Sequence, residues 1–184
     1  MKQLARVLAA TCAFALSSTA IPPKAAALET VEAKMEADEA AQGAALDMFE
    51  AFGFRDLKPG QYLWRDVPVS AGPERVVIGL TDQLAYLYRG DTLVAVATIS
   101  TGIEGRDTPT GIFSVRGKKP FHRSKKYDNA PMPFTQFIDQ YGIALHGGYN
   151  PGYPASHGCI RLPVAFAKKL YSVTEIGTPV YIGV

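Results

Sequence analysis

The rhythm of polar and apolar positions changes once along the chain. From Leu28 to Phe54 the residues are largely Ala, Glu, Met and Leu without proline, and Leu46, Phe49 and Phe52 recur at helical spacing. This predicts a helical, acidic Ala/Glu-rich arm over 28–57, with Glu29, Glu32, Glu36, Asp38 and Glu39 on a solvated face. Lys58-Pro59-Gly60 breaks that pattern, and β-branched and aromatic runs follow, separated by turn residues. Strands are predicted at Tyr62 to Arg65, Arg75 to Leu80, Leu84 to Tyr88, Leu93 to Ser100, Gly111 to Val115, Phe134 to Ile138, Gly142 to His146 and Val180 to Ile182. Residues 58–184 therefore read as one mainly β domain, a sandwich or partly closed barrel. Pro163 to Tyr171 has helix-like apolar spacing, with Pro163 tolerated in the first turn, so a short helix is expected there. Arg89-Gly90-Asp91 is a tripeptide associated with cell adhesion, but it lies between two alternating runs, where Gly90 serves a tight hairpin.

Residues 1–27 have the composition of an export signal: Lys2 and Arg6 supply positive charge, Val7 to Leu16 a short apolar core, and small residues follow. Cleavage after Ala20 or after Ala27 fits the small-residue rule. The apolar stretch is shorter than the roughly 20 residues a spanning helix needs, so no membrane span is expected once it is removed. A lipid anchor at Cys12 is the rival reading, but Ala9-Ala10-Thr11 lacks the leucine and the small last residue of a lipoprotein box. An exported protein of the periplasm or cell envelope is the expectation. At 184 residues with 47% apolar content the chain can bury one good core. The formal charge of +2 includes Lys2, Arg6 and Lys24, which leaves the rest near neutrality and gives no bias toward nucleic acid.

The cysteine count sharpens the reading. Besides Cys12 in the leader, the chain has only Cys159. An exported protein with one thiol holds either an intermolecular disulfide half or a reactive group. Cys159 stands in Ser156-His157-Gly158-Cys159-Ile160-Arg161-Leu162, and a second histidine, His146, closes the apolar run Ile143-Ala144-Leu145 just before Gly147-Gly148. A free thiol has a reference pKa of about 8.5, so nucleophilic use needs a base, and His146 is the candidate. The turn formers Tyr149 to Pro154 let the chain double back and bring Cys159 toward it. Gly158 removes a side chain where a carbonyl would approach, and backbone N–H groups around Gly158 and Cys159 are candidate oxyanion donors. His157 can donate a hydrogen bond or fix the loop. His146, His157 and Cys159 also suggest an open zinc site, but no second cysteine or nearby acidic ligand completes it, and no metal or other cofactor is expected.

The Ser156 to Leu162 run with His146-Gly147 upstream closely resembles the signature of the L,D-transpeptidases, the YkuD-like catalytic domain family. Ser100-Thr101-Gly102, Thr108-Pro109-Thr110-Gly111-Ile112-Phe113 and Met132-Pro133-Phe134 resemble that family's segments in the usual order, and the likeness covers residues 72 to 184. The resemblance implies a β-sandwich-like enzyme that remodels bacterial peptidoglycan with a cysteine nucleophile. Cys159 would attack the carbonyl joining the third residue of a stem tetrapeptide, a diamino acid, to its terminal D-alanine. His146 would take the thiol proton, the Gly147 carbonyl would orient the imidazole, and an amine from a second stem would resolve the thioester into a 3-3 cross-link. Ser156 and Gly158 would support the nucleophile loop. The stretch from His146 to Ser156 is shorter than is usual in the family, which reshapes the pocket wall, and Arg161 stands where some members carry asparagine.

Arg161 suits a stem-peptide carboxylate through paired hydrogen bonds, with a structural ion pair as the equal alternative. Tyr149, Tyr153, Met132 and Phe134 complete the substrate-binding candidates. Arg116 to Lys126 is a basic run containing Phe121 and His122; it reads as a solvated loop or as a lid over an anionic substrate. The partners expected are donor and acceptor stem peptides, and no protein partner is identified. The same acyl-enzyme would also serve a carboxypeptidase, an amidase that cuts cross-links, or attachment of a protein to the wall. A wall-binding module without catalysis is disfavoured by the thiol and histidine together. A papain-like peptidase is disfavoured by order, since here the histidine precedes the cysteine.

Overall fold

The computed structural model describes residues 28–184; residues 1–27, where the export signal, Cys12 and the two expected cleavage points fall, lie outside the described residues. In chain order the elements are α1 (Val31–Phe52), β1 (Tyr62–Trp64), β2 (Glu74–Gly79), β3 (Leu84–Arg89), β4 (Thr92–Thr98), β5 (Gly111–Ser114), β6 (Gly117–Ser124), β7 (Ala130–Phe137), β8 (Ala144–Gly147), β9 (Ile160–Leu162), α2 (Val164–Val173) and β10 (Pro179–Gly183). The strands form a six-stranded sheet in the order β1-β4-β3-β2-β10-β5 and a four-stranded sheet in the order β6-β7-β8-β9. Neither sheet closes on itself. The mainly β architecture expected from the sequence is present, as two sheets packed face to face.

Alternation along the strands explains the layers. Val76 and Ile78 of β2 with Ala85 and Leu87 of β3 point to one face, where they meet Leu145, Ile160 and Leu162 of the smaller sheet and Phe166 and Leu170 of α2. Val77, Tyr86, Tyr88 and Val96 point to the other face and pack under α1. The middle strands are thus buried on both sides. The β3–β4 hairpin turns at Gly90, whose φ of 56° is the left-handed conformation read from the sequence.

Helix α1 is capped at its start by Thr30, whose Oγ1 accepts from the Ala33 N–H at 3.2 Å, and ends at Gly53 with φ 74°. It lies on the sheet through Ala33, Ala37, Ala41, Ala44 and Met48, while Leu46 and Phe49 face solvent. Its buried face is therefore an alanine stripe with Met48; of the apolar positions that mark the helix in the sequence only Phe52 packs against this core. Small residues allow close approach: a Cβ on Gly183 of β10 would lie 2.2 Å from the Ala37 carbonyl oxygen. Tyr88 Oη donates to Asp47 at 2.6 Å, and the Val184 N–H donates to Asp38 at 2.8 Å, tying the helix to the sheet and the C-terminus. Among the described residues no helix is long and apolar enough to cross a membrane.

The basic run is the main departure in secondary structure. Gly117–Ser124 is not a loop but β6, the edge of the smaller sheet, paired antiparallel with β7 so that His122 stands opposite Met132. Charges and Pro120 on an outer strand discourage further pairing, which is why the segment lacks the apolar signal of an inner strand. Lys118 turns inward, and its Nζ donates to the carbonyls of Tyr171 and Thr174 at the C-terminal end of α2.

Candidate active site

Three connected segments of the smaller sheet build one cavity. Strand β7 leads into the 139–143 turn, which is organised by a single side chain: Asp139 Oδ1 accepts from the N–H groups of Tyr141, Gly142 and Ile143 at 2.9, 2.8 and 2.8 Å. Strand β8 then carries His146, and after the 148–159 loop β9 returns parallel to it, with Leu145 opposite Ile160 and His146 opposite Arg161. Directly opposed residues share a face, and Cys159, two residues before Arg161, returns to that face. His146, Cys159 and Arg161 accordingly line the same cavity, of about 680 Å³. Cys159 is a free thiol.

His146 is only 6% exposed, and its Nδ1 lies 2.9 Å from the Gly147 carbonyl oxygen. A carbonyl can only accept, so Nδ1 carries the proton and Nε2 is left with its lone pair. Burial pushes the imidazole pKa down to about 4, against the opposing pull of the Gly147 carbonyl, and the positive charges of Arg161 and His122 lower it further. The Cys159 thiol donates to the Gly142 carbonyl at 3.7 Å. Burial raises its pKa and the Asp139 charge adds to that, while a backbone bond from Ala144 and the Arg161 charge act the other way. Thiol and imidazole are thus both neutral at rest near pH 7.

The loop before Cys159 is held from behind. Ser156, 1% exposed, donates through Oγ to the Cys159 carbonyl at 2.5 Å and accepts from the Gly158 N–H at 3.1 Å. Thr108 Oγ1 donates to the Gly158 carbonyl at 2.9 Å and accepts from the Gly102 N–H at 2.9 Å. The Arg161 backbone bonds Ser100 in both directions, at 2.9 and 3.0 Å. Gln83, which the sequence reading passed over, clasps Thr101 with both ends of its amide, at 2.7 and 3.1 Å. Gly158 has φ 110°, and a Cβ there would lie 2.8 Å from Ile143 Cδ1, so glycine is required for conformation and for space. One expectation is corrected: the Gly158 N–H is taken by Ser156, so it is not an oxyanion donor. No backbone or side-chain acceptor is found for the Cys159 N–H among the described residues.

The β6–β7 hairpin forms the opposite wall. His157 stacks on Tyr127 of its turn, with centroids 4.3 Å apart and planes 9° from parallel, so the loop residue before Gly158 holds the hairpin tip against the site. His122, which the sequence marked only as part of a basic run, faces the cavity beside Met132 and sits edge-on to Phe137 at 5.2 Å. Tyr149 lines the rim, 76% exposed. Tyr153 and Phe134, both substrate-binding candidates, lie outside the cavity lining. The Tyr153 carbonyl accepts from Ser100 Oγ at 2.7 Å, and Phe134, at φ 56°, turns onto Tyr171 with centroids 6.0 Å apart. Met132 does line the cavity. Among the described residues no group of three or more His, Cys, Asp or Glu side chains is placed to hold a metal ion.

Residues 73–182, more than half of the chain, match the family model of the L,D-transpeptidase catalytic domain, YkuD. Among solved structures, an L,D-transpeptidase from Stackebrandtia nassauensis superposes with TM-score 0.56 at 26% identity, over 65% of this chain and 58% of that one. One from Xylanimonas cellulosilytica gives TM-score 0.53 at 29% identity, over 65% and 64%. An L,D-transpeptidase from Mycobacterium smegmatis gives TM-score 0.56 at 17% identity, over 59% and 58%, a likeness of fold. The match spans less than two thirds of each of these structures. No curated protein matches the chain by sequence.

Proposed function

Because the chain belongs to the family of L,D-transpeptidase catalytic domains, we propose that it is an exported cysteine acyltransferase that forms 3-3 cross-links between peptidoglycan stem peptides. One observation carries this reading: Cys159 and His146 face one cavity from adjacent parallel segments, and the imidazole presents Nε2 as its free base.

The chemistry follows from the protonation states. With thiol and imidazole both neutral, no thiolate stands ready; the proton moves as the bond forms. A stem tetrapeptide enters the cavity with the carbonyl between its third residue and its terminal D-alanine beside Sγ. His146 Nε2 takes the thiol proton while Sγ attacks that carbon, and the oxyanion meets the Cys159 N–H. The tetrahedral intermediate collapses, the carbon–nitrogen bond breaks, and the same proton passes from Nε2 to the departing D-alanine amine. The side-chain amine of a second stem then gives a proton to Nε2 and attacks the thioester. The carbon–sulfur bond breaks, and the thiol regains its proton. The Gly147 carbonyl keeps the imidazole in the required tautomer throughout, as a third group does in other nucleophile and base pairs. The substrate makes the periplasm or cell envelope the working compartment, and the composition of residues 1–27 supports export.

The test is product analysis by mass spectrometry on purified tetrapeptide muropeptides, with Cys159→Ala in parallel. The proposal predicts loss of D-alanine and linked dimers that require Cys159. Monomers shortened by one residue would indicate a carboxypeptidase, and conversion of supplied dimers to monomers a cross-link amidase; either would overturn the transfer step.

A further inference from the structure

The charged side chains that line the cavity have one sign, and the acidic group whose charge reaches the thiol, Asp139, stands behind the lining. Lys125, Lys126 and Arg161 line the cavity together with three histidines, and no aspartate or glutamate does. Arg161 is the telling member. Its backbone is fixed on both sides by Ser100, and the stem of its side chain passes Gly148, whose Cβ position lies 3.7 Å from Arg161 Cδ. The guanidinium itself forms no ion pair and no hydrogen bond among the described residues; the ion pairs found there are Arg75–Asp91 and Arg89–Glu74, both on the larger sheet. The structural ion pair that the sequence left open for Arg161 is therefore not made. A half-buried guanidinium with its donors unfilled, on the same face as the nucleophile and opposite the base, is a fork awaiting an acceptor.

We infer that Arg161 forms a carboxylate subsite, within the positive field of Lys125 and Lys126, and that the enzyme thereby selects stem peptides with a free carboxylate next to the scissile bond over the corresponding carboxamides. The inference rests on the acyl-transfer reading and adds a substrate class to it. A carboxylate offers two oxygens in the plane that a guanidinium matches with two parallel N–H bonds, whereas a carboxamide offers one oxygen and an NH2 that faces another donor. Two groups near the scissile bond supply this chemistry: the α-carboxylate of the terminal residue, and a side-chain carboxylate on the diamino acid.

The test compares four synthetic tetrapeptides on the full-chain protein: unmodified, amidated at the terminal carboxylate, amidated at the diamino-acid side chain, and amidated at both. Affinity is measured by calorimetry on the Cys159→Ala protein, and acylation of Cys159 by intact mass on the unmodified one. The subsite predicts that amidation at one of the two positions weakens binding by about ten- to a hundredfold, as loss of a charge-assisted pair does; which position responds identifies the carboxylate. Arg161→Gln is expected to bind free and amidated forms alike, and Arg161→Lys to keep part of the preference. Equal binding of all four peptides by the protein that retains Arg161, or an unchanged preference in Arg161→Gln, overturns the subsite and leaves acyl transfer standing. Failure of every form to bind and to acylate Cys159 overturns both. The comparison among peptides needs no substitution at Arg161, so it decides the matter even if those variants fold poorly.

Discussion

Lowering the pH from 7.5 to 4.5 should destabilise the fold through one side chain, His146. Burial holds its folded pKa at about 4, against 6.5 when the chain is unfolded. Above 6.5 both states are neutral and the group contributes nothing to the pH dependence. As pH falls below 6.5 the unfolded chain takes up a proton that the folded one refuses, so stability drops until the folded imidazole also titrates near 4. At about 1.36 kcal/mol per pH unit the full gap amounts to roughly 3 kcal/mol, most of which is reached by pH 4.5. Carboxylates titrate over the same range, so the quantity to measure is a difference of differences. Urea denaturation of the unsubstituted protein and of His146→Gln, which cannot be protonated, is run at both pH values. The unsubstituted protein should lose roughly 2–3 kcal/mol more than the variant, equivalent to roughly 5–10 °C in Tm for a domain of this size. The same pKa governs catalysis: the acidic limb of kcat/KM should fall near pH 4 to 5, not near 6.5, because the base stays unprotonated. Equal losses in the two proteins, with an acidic limb at 6.5, would refute the claim that burial sets this histidine.

Three further outcomes follow from the site's geometry. Asp139→Ala removes the shared acceptor of three N–H groups and should cost about 1–3 kcal/mol in denaturant unfolding; Asp139→Asn keeps an acceptor and removes the charge that raises the thiol pKa, so iodoacetamide should alkylate Cys159 faster near neutrality in that variant. Gly158→Ala forces a side chain into φ 110° against Ile143 and should destabilise by about 1–3 kcal/mol, with acylation of Cys159 slowed. Tyr127→Ala removes the stack on His157, worth about 0.5–1.5 kcal/mol, and should speed amide exchange at the hairpin tip and raise KM for a stem peptide while leaving thiol alkylation unchanged.

The parts of this molecule that were legible in the sequence are those whose signal is local. Strands such as Leu84–Arg89 and Thr92–Thr98 sit at the centre of a sheet, where burial on both faces requires apolar runs. Cys159 and His146 stood out because a lone thiol and a histidine at a strand end are rare, and both line one cavity. What escaped depends on partners distant in the chain. Strand β6 is basic because it is an edge, and only its pairing with β7 makes it a strand. The buried face of α1 is mostly alanine because Gly183 and the sheet come close, and alanine leaves little trace in a hydrophobic period. Asp139 reads in sequence as one more turn residue before a glycine, and nothing local says that the turn it closes supplies the carbonyl that meets the thiol. The occupation of the Gly158 N–H by Ser156 is likewise a fact of side-chain orientation. Tyr153 is an aromatic close to the motif and Phe134 part of a segment that resembles the family's, but neither signal fixes orientation, and both side chains lie outside the cavity lining.

The account's central claim is that Cys159 is an acyl-accepting nucleophile served by His146. Intact-protein mass spectrometry during incubation with a stem tetrapeptide tests it most directly, on the unsubstituted protein, Cys159→Ala and His146→Gln. The account predicts a transient adduct equal to the tetrapeptide less D-alanine, mapped to Cys159, absent in Cys159→Ala and slowed in His146→Gln by at least the roughly 10²-fold that general-base catalysis provides. An unmodified Cys159 in the folded protein, or an adduct forming at the same rate without His146, would contradict it.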